Sequence, residues 1–307
     1  MNHPKKLLAT GHSGFVGTAI QAWLRANPGS GVAWCPLAQE HDVLDPAAMR
    51  AMLEQHRPDW VIHLAAQSHV PTAWQDPAAT LQVNVGGTAT LLKALVDTGF
   101  QGRLLYVSSA DVYGSVAENL LPVTEEAAPA PRNPYAASKV ACEVLCQQWT
   151  RAQPLDIVIA RPFNHTGAGQ RPDFALPAFA REVAAIKLGR QPARILTGDL
   201  DVTRDFLDVR DVVAAYLALL RGGLSGEIYN VCSGQESNLR EALHALIGLA
   251  GIRADVATDP ARLRPAEQRR MRGSHDKLTH ATGWRPQIPL QATLEQLLDH
   301  WMKEPNP

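Results

Sequence analysis

Tyr135 and Lys139 stand four residues apart in NPYAASKVACE, Asn133 to Glu143, a segment whose pattern predicts a helix. At that spacing both side chains share one helix face. A tyrosine with an ordinary pKa near ~10 exchanges protons poorly at neutral pH, and a neighbouring ammonium lowers it by favouring the phenolate. The lysine can also hydrogen-bond a nicotinamide ribose. A hydroxyl aimed at the same substrate oxygen would complete a proton-transfer site. YVSSADVYG supplies two, Ser108 and Ser109, at the end of a predicted strand. A bare YxxxK is common on exposed helix faces, so the pair acquires meaning only beside a cofactor loop.

Such a loop stands near the N-terminus. Gly11-His12-Ser13-Gly14-Phe15-Val16-Gly17 has GxxGxxG spacing between a predicted strand and a predicted helix. Glycines there permit a tight turn and close backbone approach to a pyrophosphate, which the helix N-terminus binds through free N–H groups and a partial positive charge. The end of the second strand should carry an acid for a ribose 2′-hydroxyl or an arginine for a 2′-phosphate. CPLAQEHDVLD offers neither cleanly. Glu40 is a possible ribose ligand lying past the strand, and Asp42 with Val43 is better placed to meet the adenine edge. The choice between NAD and NADP stays open.

These residues need a scaffold that brings strand ends together. Short apolar runs (KKLLATG, GVAWCPL, WVIHLAA, RLLYVSS, LDIVIARPF) alternate with helical patterns such as FVGTAIQAWLRA, AAMRAMLEQH, VNVGGTATLLKALVDTG and YAASKVACEVLCQQWTRA. That alternation predicts an α/β fold, a doubly wound parallel sheet of Rossmann type with helices on both faces. The strands are continuously apolar, as burial on both faces requires. After Phe163 strands shorten and Pro and Gly become denser. The expected division is an NAD(P)-binding domain of residues 1–163 plus about 205–235, and a smaller nucleotide-sugar-binding domain of 164–204 plus 236–307.

The chain has 307 residues, with 29 Lys and Arg against 30 Asp and Glu, which gives no electrostatic reason to expect nucleic acid. No run approaches the ~20 apolar residues of a membrane span. Cys35, Cys142, Cys146 and Cys232 show no metal or redox spacing, so no metal is expected and free packed thiols fit a reducing cytoplasm.

The motifs TGHSGFVG, DVLD, HLAAQSHV, VNVGGT, SSADVYG, YAASK, RPFNHTG, RDFLDVRD and NVCSG together make the chain resemble the extended short-chain dehydrogenase/reductase family, over essentially its whole length. In that family the site hydroxyl lies four positions before the tyrosine of the xYG segment. Tyr113 closes that segment here, so the resemblance selects Ser109 over Ser108. It implies Ser109, Tyr135 and Lys139 as the catalytic set and NADPH or NADH as cofactor. The cofactor would be held by Gly11, Ser13, Gly14, Phe15, Val16, Gly17, Asp42, Val43, Leu64, Ala65, Ala66, Tyr135, Lys139 and Pro162. Asn84 matches an asparagine that helps organise the lysine.

HLAAQSHV and RPFNHTGAGQ look like the branch holding GDP-mannose 4,6-dehydratases and GDP-4-keto-6-deoxy-D-mannose reductases, and RLRPAEQRRMRGSHDKL looks like its RPxE segment. The resemblance puts Asn164 at the sugar or diphosphate, Arg204 at the diphosphate, and Arg264 and Glu267 at the nucleotide. Ser68, Ser109, Ala110, Asp111 and Tyr135 complete the implied substrate site. The dehydratases carry Glu where this chain has Asp111, one methylene shorter, and a longer Arg-bearing segment after the second strand. The implied activity is therefore reduction of the C4 ketone of GDP-4-keto-6-deoxy-D-mannose to GDP-D-rhamnose, a donor for surface polysaccharide such as lipopolysaccharide O-antigen. The alternatives are a 4,6-dehydratase or C4 epimerase, and more distantly a non-catalytic dinucleotide sensor. A homodimer is implied through the VNVGGTATLLKAL and YAASKVACEVLCQQW helices, where Val140, Val144, Leu145 and Trp149 spread over more than one face.

Overall fold

The computed structural model describes residues 3–37, 41–262 and 268–304. Its strands are β1 (Lys5–Thr10), β2 (Val32–Trp34), β3 (Trp60–His63), β4 (Arg103–Val107), β5 (Asp156–Pro162), β6 (Asn164–Thr166), β7 (Arg194–Thr197), β8 (Thr203–Arg204), β9 (Phe206–Asp208), β10 (Ile228–Val231), β11 (Ser237–Asn238) and β12 (Asp255–Thr258). Its helices are α1 (Phe15–Ala26), α2 (Pro46–His56), α3 (Val70–Gln75), α4 (Pro77–Leu81), α5 (Gly87–Asp97), α6 (Pro134–Ala152), α7 (Ala175–Lys187), α8 (Val209–Gly222), α9 (Leu239–Ala250), α10 (Asp276–Thr282) and α11 (Leu290–Lys303).

The main sheet runs β10-β5-β4-β3-β1-β2 with every neighbour parallel. The chain passes from β1 to β2 on one side, then returns past β1 to lay down β3 on the other. That reversal falls between β1 and β3, and the carboxyl ends of the strands at such a reversal are where sheets of this kind bind ligands in a crevice. The expected doubly wound fold is present, and EIYNVCS returns as β10 to complete the sheet edge.

Burial on both faces explains the unbroken apolar runs. Leu7, Ala9, Ile62, Leu105 and Val158 point into one core, packed by α1 and α8. Leu8, Val61, Leu104, Ile157 and Ile159 point into the other, packed by α2, α5 and α6. A third core joins α7, α9 and α11 with Ile195 of β7. Beside it lie three two-stranded pairs, β7 with β12, β8 with β11, and β6 with β9. No helix among the described residues is long and apolar enough to cross a membrane.

The segment read as one helix, VNVGGTATLLKALVDTG, departs from regularity at its start. A single π-helical turn, Gln82–Gly86, separates α4 from α5. Its buried Asn84 lies where the wider turn frees a carbonyl, which accepts from the Thr88 hydroxyl at 2.6 Å and the Cys142 thiol at 3.3 Å.

Candidate active site

The ends of β1 to β5, with the starts of α1 and α6, build the site. Gly11 follows β1 with φ +68°, a conformation glycine adopts without steric cost. A Cβ there would lie 2.7 Å from the Ala65 nitrogen, so the loop after β1 closes directly on Leu64 and Ala65 after β3, with Ala66 next in the chain. A Cβ at Gly17 would lie 2.5 Å from the His12 carbonyl oxygen, which presses α1 against the same loop. Ser13 and Gly14 are exposed, and Phe15 and Val16 open α1. Asp45 caps α2 and Asn133 caps α6, but Gly14 gives α1 no side-chain cap and its first turn has no acid. The N–H groups starting α1 are thus left for an external acceptor, the arrangement that suits a dinucleotide pyrophosphate.

Val43 is buried, and a Cβ on Gly87 would come within 2.5 Å of its side chain, so α5 fixes it after β2. Asp42 is exposed, and its carboxylate accepts from the Leu44 N–H at 2.9 Å. Glu40 lies outside the described residues. Across the crevice, Phe15 stacks on His165 with centroids 6.2 Å apart, joining the glycine loop to RPFNHTG after β5. Pro162 is buried at the end of β5, and Asn164 is exposed at the start of β6.

α6 carries the predicted Tyr135 and Lys139. The Asn133 carboxamide accepts from the Ala136 N–H at 2.7 Å and Pro134 occupies the first turn, a strong helix start. Tyr135 thereby sits in the first turn and Lys139 one turn later, buried. The Ser109 side chain is the one beside Tyr135, and its hydroxyl accepts from the Asp111 N–H at 3.1 Å. Burial, and next the Asp111 carboxylate, hold the Tyr135 phenol above its ordinary pKa, while the Ser109 hydroxyl pulls the other way. This corrects the expectation that the lysine lowers it. The Lys139 amine lies 5.8 Å from the Tyr135 ring centre and donates instead to the Val107 carbonyl at 2.8 Å. Burial lowers Lys139 itself to about 8.

The structure separates the two serines. Ser108 is buried and donates to Glu143, so it faces away from the phenol, while Ser109 faces it. Asn84 does not touch Lys139. Its side chain donates to the Gln67 carbonyl at 3.0 Å and the Ser138 hydroxyl at 2.8 Å, and accepts from the Gln67 N–H at 2.8 Å. It ties the loop carrying Ser68 to α6. Ser68 is exposed, and Ala110 is buried at the start of the short 3-10 turn Ala110–Tyr113 that displays Asp111. Arg204 is half-buried in β8, its guanidinium donating to the Thr203 carbonyl at 2.8 Å. Arg264 and Glu267 lie outside the described residues.

Sequence reasoning missed two supports. Beneath Lys139, the His63 ring bonds Thr10 at 2.7 Å and Thr88 at 3.2 Å, and burial followed by the Lys139 charge lowers its pKa to about 3, so it stays neutral. Asp205, beside Arg204 and fully buried, accepts from Ser233 N–H and hydroxyl, Gly234 N–H and Gly273 N–H. Neither belongs to a local pattern; only the RDFLDV and NVCSG motifs hinted at Asp205.

A family model described as GDP-mannose 4,6 dehydratase matches residues 35–297. The chain is 48% identical over 299 residues to GDP-6-deoxy-D-mannose reductase of Pseudomonas aeruginosa, covering 97% of each. The solved structure of RMD from Pseudomonas aeruginosa complexed with NADPH superposes with TM-score 0.93 at 48% identity, over 97% of this chain and 99% of that one. Thermus thermophilus UDP-glucose 4-epimerase in complex with NAD superposes with TM-score 0.83 at 30% identity, over 97% and 99%. With its glycine loop at the β1/β3 crevice and its Tyr135–Lys139 helix, this chain belongs to the extended short-chain dehydrogenase/reductase family, in the group of the GDP-mannose 4,6-dehydratase model.

Proposed function

We propose that this chain reduces the C4 ketone of GDP-4-keto-6-deoxy-D-mannose to GDP-D-rhamnose, using NADPH or NADH, for surface polysaccharide. The observation that carries the reading is the α6 face of Tyr135 and Lys139 set against the end of β4, with Lys139 on the Val107 carbonyl at 2.8 Å and the Ser109 turn beside it, in a chain whose near relative is a GDP-6-deoxy-D-mannose reductase. A ketone reduction needs a protonated donor at its start, and the Asp111 charge favours that state of Tyr135.

When bound, the reduced nicotinamide supplies the hydride. Gly11, Ser13, Gly14, Phe15, Val16 and Gly17 hold the pyrophosphate at the start of α1, Asp42 and Val43 flank the adenine, and Leu64, Ala65, Ala66 and Pro162 line the crevice. Lys139 holds the ribose. Tyr135 gives its proton to the developing alkoxide and Ser109 hydrogen-bonds the same oxygen. Ser68, Ala110, Asp111 and Asn164 orient the sugar. Arg204 meets the diphosphate with its fork of donors, and Arg264 and Glu267 take the nucleotide. The separate core of α7, α9 and α11 supports a nucleotide-sugar unit of 164–204 and 236–307 beside a cofactor unit of 1–163 and 205–235, with Leu278 and Trp284 crossing back into the cofactor unit's core.

We further propose a homodimer. Leu145 and Trp149 pack inward on the second core and Val140 packs beside Tyr113, but Val144 is exposed on α6, as are Leu81 on α4 and Trp74 on α3. Sedimentation as a monomer at micromolar concentration would remove the dimer. Four buried free cysteines support a reducing cytoplasm.

The test supplies purified protein with the ketosugar and NADPH, and separately with GDP-mannose alone. Reduction adds two hydrogens to the ketosugar and leaves GDP-mannose untouched; loss of water from GDP-mannose would instead establish the dehydratase. Tyr135→Phe is expected to lower kcat by about 10²–10⁴-fold, the usual worth of a positioned proton donor, with little change in cofactor affinity. Full activity in that variant would end the donor role.

A further inference from the structure

The carboxyl end of β4 meets α6 at three consecutive residues and is hydrogen-bonded to it at two. Lys139 takes the Val107 carbonyl, Glu143 takes the Ser108 hydroxyl, and Tyr135 lies beside Ser109. The three α6 residues are spaced one turn apart, so one helix face reads three successive positions of the strand end. Of these, the Glu143 contact has no place in the proposed chemistry, although it buries a charge.

That charge is neutralised by Arg161 of β5. The guanidinium donates through Nε at 2.9 Å and Nη2 at 2.7 Å to the two Glu143 oxygens, and both side chains are buried. Burial disfavours the cation, but the Glu143 bond and charge outweigh it and keep Arg161 above the ordinary arginine pKa. The same guanidinium lies 4.8 Å over the Tyr113 ring, and the Tyr113 hydroxyl donates to Asn230 at 2.6 Å. Ser108 and Tyr113 bracket the turn that carries Ser109, Ala110 and Asp111. Both ends of that turn therefore rest on one ion pair, Ser108 through Glu143 and Tyr113 through the face of its ring.

We propose that Glu143 and Arg161 are positioning residues which, through Ser108 and Tyr113, set where Ser109 meets the Tyr135 phenol. A buried ion pair is a poor device for stability alone, because apolar residues of equal volume usually do as well. Its fork geometry does fix direction, which a proton-transfer pair needs to within fractions of an ångström. The proposal rests on Ser109 and Tyr135 being the proton-transfer pair of the ketoreductase reading.

Ser108→Ala tests it with the ion pair left intact. With ketosugar and NADPH, this variant is expected to lose about tenfold in kcat while both KM values stay within about twofold. Added to Ser109→Ala, it should cost less than about twofold further, because its effect runs through Ser109. Full, independent losses in the double variant would overturn the proposal, as would a loss confined to melting temperature. A crystal structure of Ser108→Ala gives an answer independent of turnover. Ser109 displaced relative to Tyr135, against a wild-type structure solved alongside, supports the proposal, and an unmoved Ser109 overturns it. A wild-type protein that failed to reduce the ketosugar would defeat the functional reading, and the crystal distance would still decide the positioning.

Discussion

Glu143 and Arg161 meet in the core with side chains 4% and 3% exposed, whereas Glu236 and Arg270 make the same two-point fork at the surface, 17% and 45% exposed. The buried fork joins α6 to β5 and takes in Ser108. The surface fork joins the segment after β10 to the chain beyond residue 267, reaching Glu118 through Arg270 and Thr203 through Glu236. Desolvation makes the first pair stiff and intolerant of losing one member, while water screens the second and leaves its members replaceable. One chemistry thus occurs in two settings: a fixed frame beside Ser109 and Tyr135, and a surface tether that joins Glu118, Thr203, Glu236 and Arg270.

Removing one member from each fork exposes the difference. Glu143→Ala leaves a buried guanidinium without its counter-charge and is expected to cost ~3–5 kcal/mol in denaturant unfolding. A loss no greater than that of the surface pair would break the comparison. One turn before Glu143, the pH response of Lys139 gives a smaller effect. Its folded pKa is lowered to about 8 from 10.5, so its ammonium is lost as pH rises through about 8 and kcat/KM for the cofactor should decline above that point. Stability moves oppositely. Between the two values the unfolded chain binds the extra proton, so the penalty on the fold is relieved as pH rises from about 8 towards 10.5. A parallel fall of activity and melting temperature over that window would contradict the assignment.

Glu236→Gln gives the smallest effect, a melting temperature lowered by no more than about 2 °C and a difference that shrinks in high salt. The Arg270 hydrogen bond holds Glu236 at about 2 against an ordinary 4.5, so its contribution is present above 4.5 and disappears as pH falls through about 2. A larger loss than that of Glu143→Ala would reverse the roles of the two forks.

Local patterns made the frame legible. Gly11, Gly14 and Gly17 are neighbours in sequence because one turn must meet one helix start, and Tyr135 and Lys139 share a helix turn. The apolar strands gave away the doubly wound sheet because burial on both faces removes alternation. The choice of Ser109 came from family spacing, and the local pattern holds no sign that Glu143, 35 residues on, occupies Ser108. Glu143, Arg161, Tyr113 and Asn230 come from separate elements, so no window of sequence contains their network. The π-helical turn at Asn84 was hidden because its residues keep ordinary helical spacing on either side. Tyr135 was read in the wrong direction for a similar reason: spacing reveals the lysine, but burial and the Asp111 charge depend on the folded surroundings.

The central claim is that Tyr135, Ser109 and Lys139 serve a net ketone reduction. Turnover of GDP-4-keto-6-deoxy-D-mannose with NADPH deuterated at the transferring position tests it most directly, with the sugar read by mass and NMR. The account predicts one deuterium at sugar C4 and one NADPH consumed per product. A product free of deuterium, or formed without net consumption of NADPH, would contradict it.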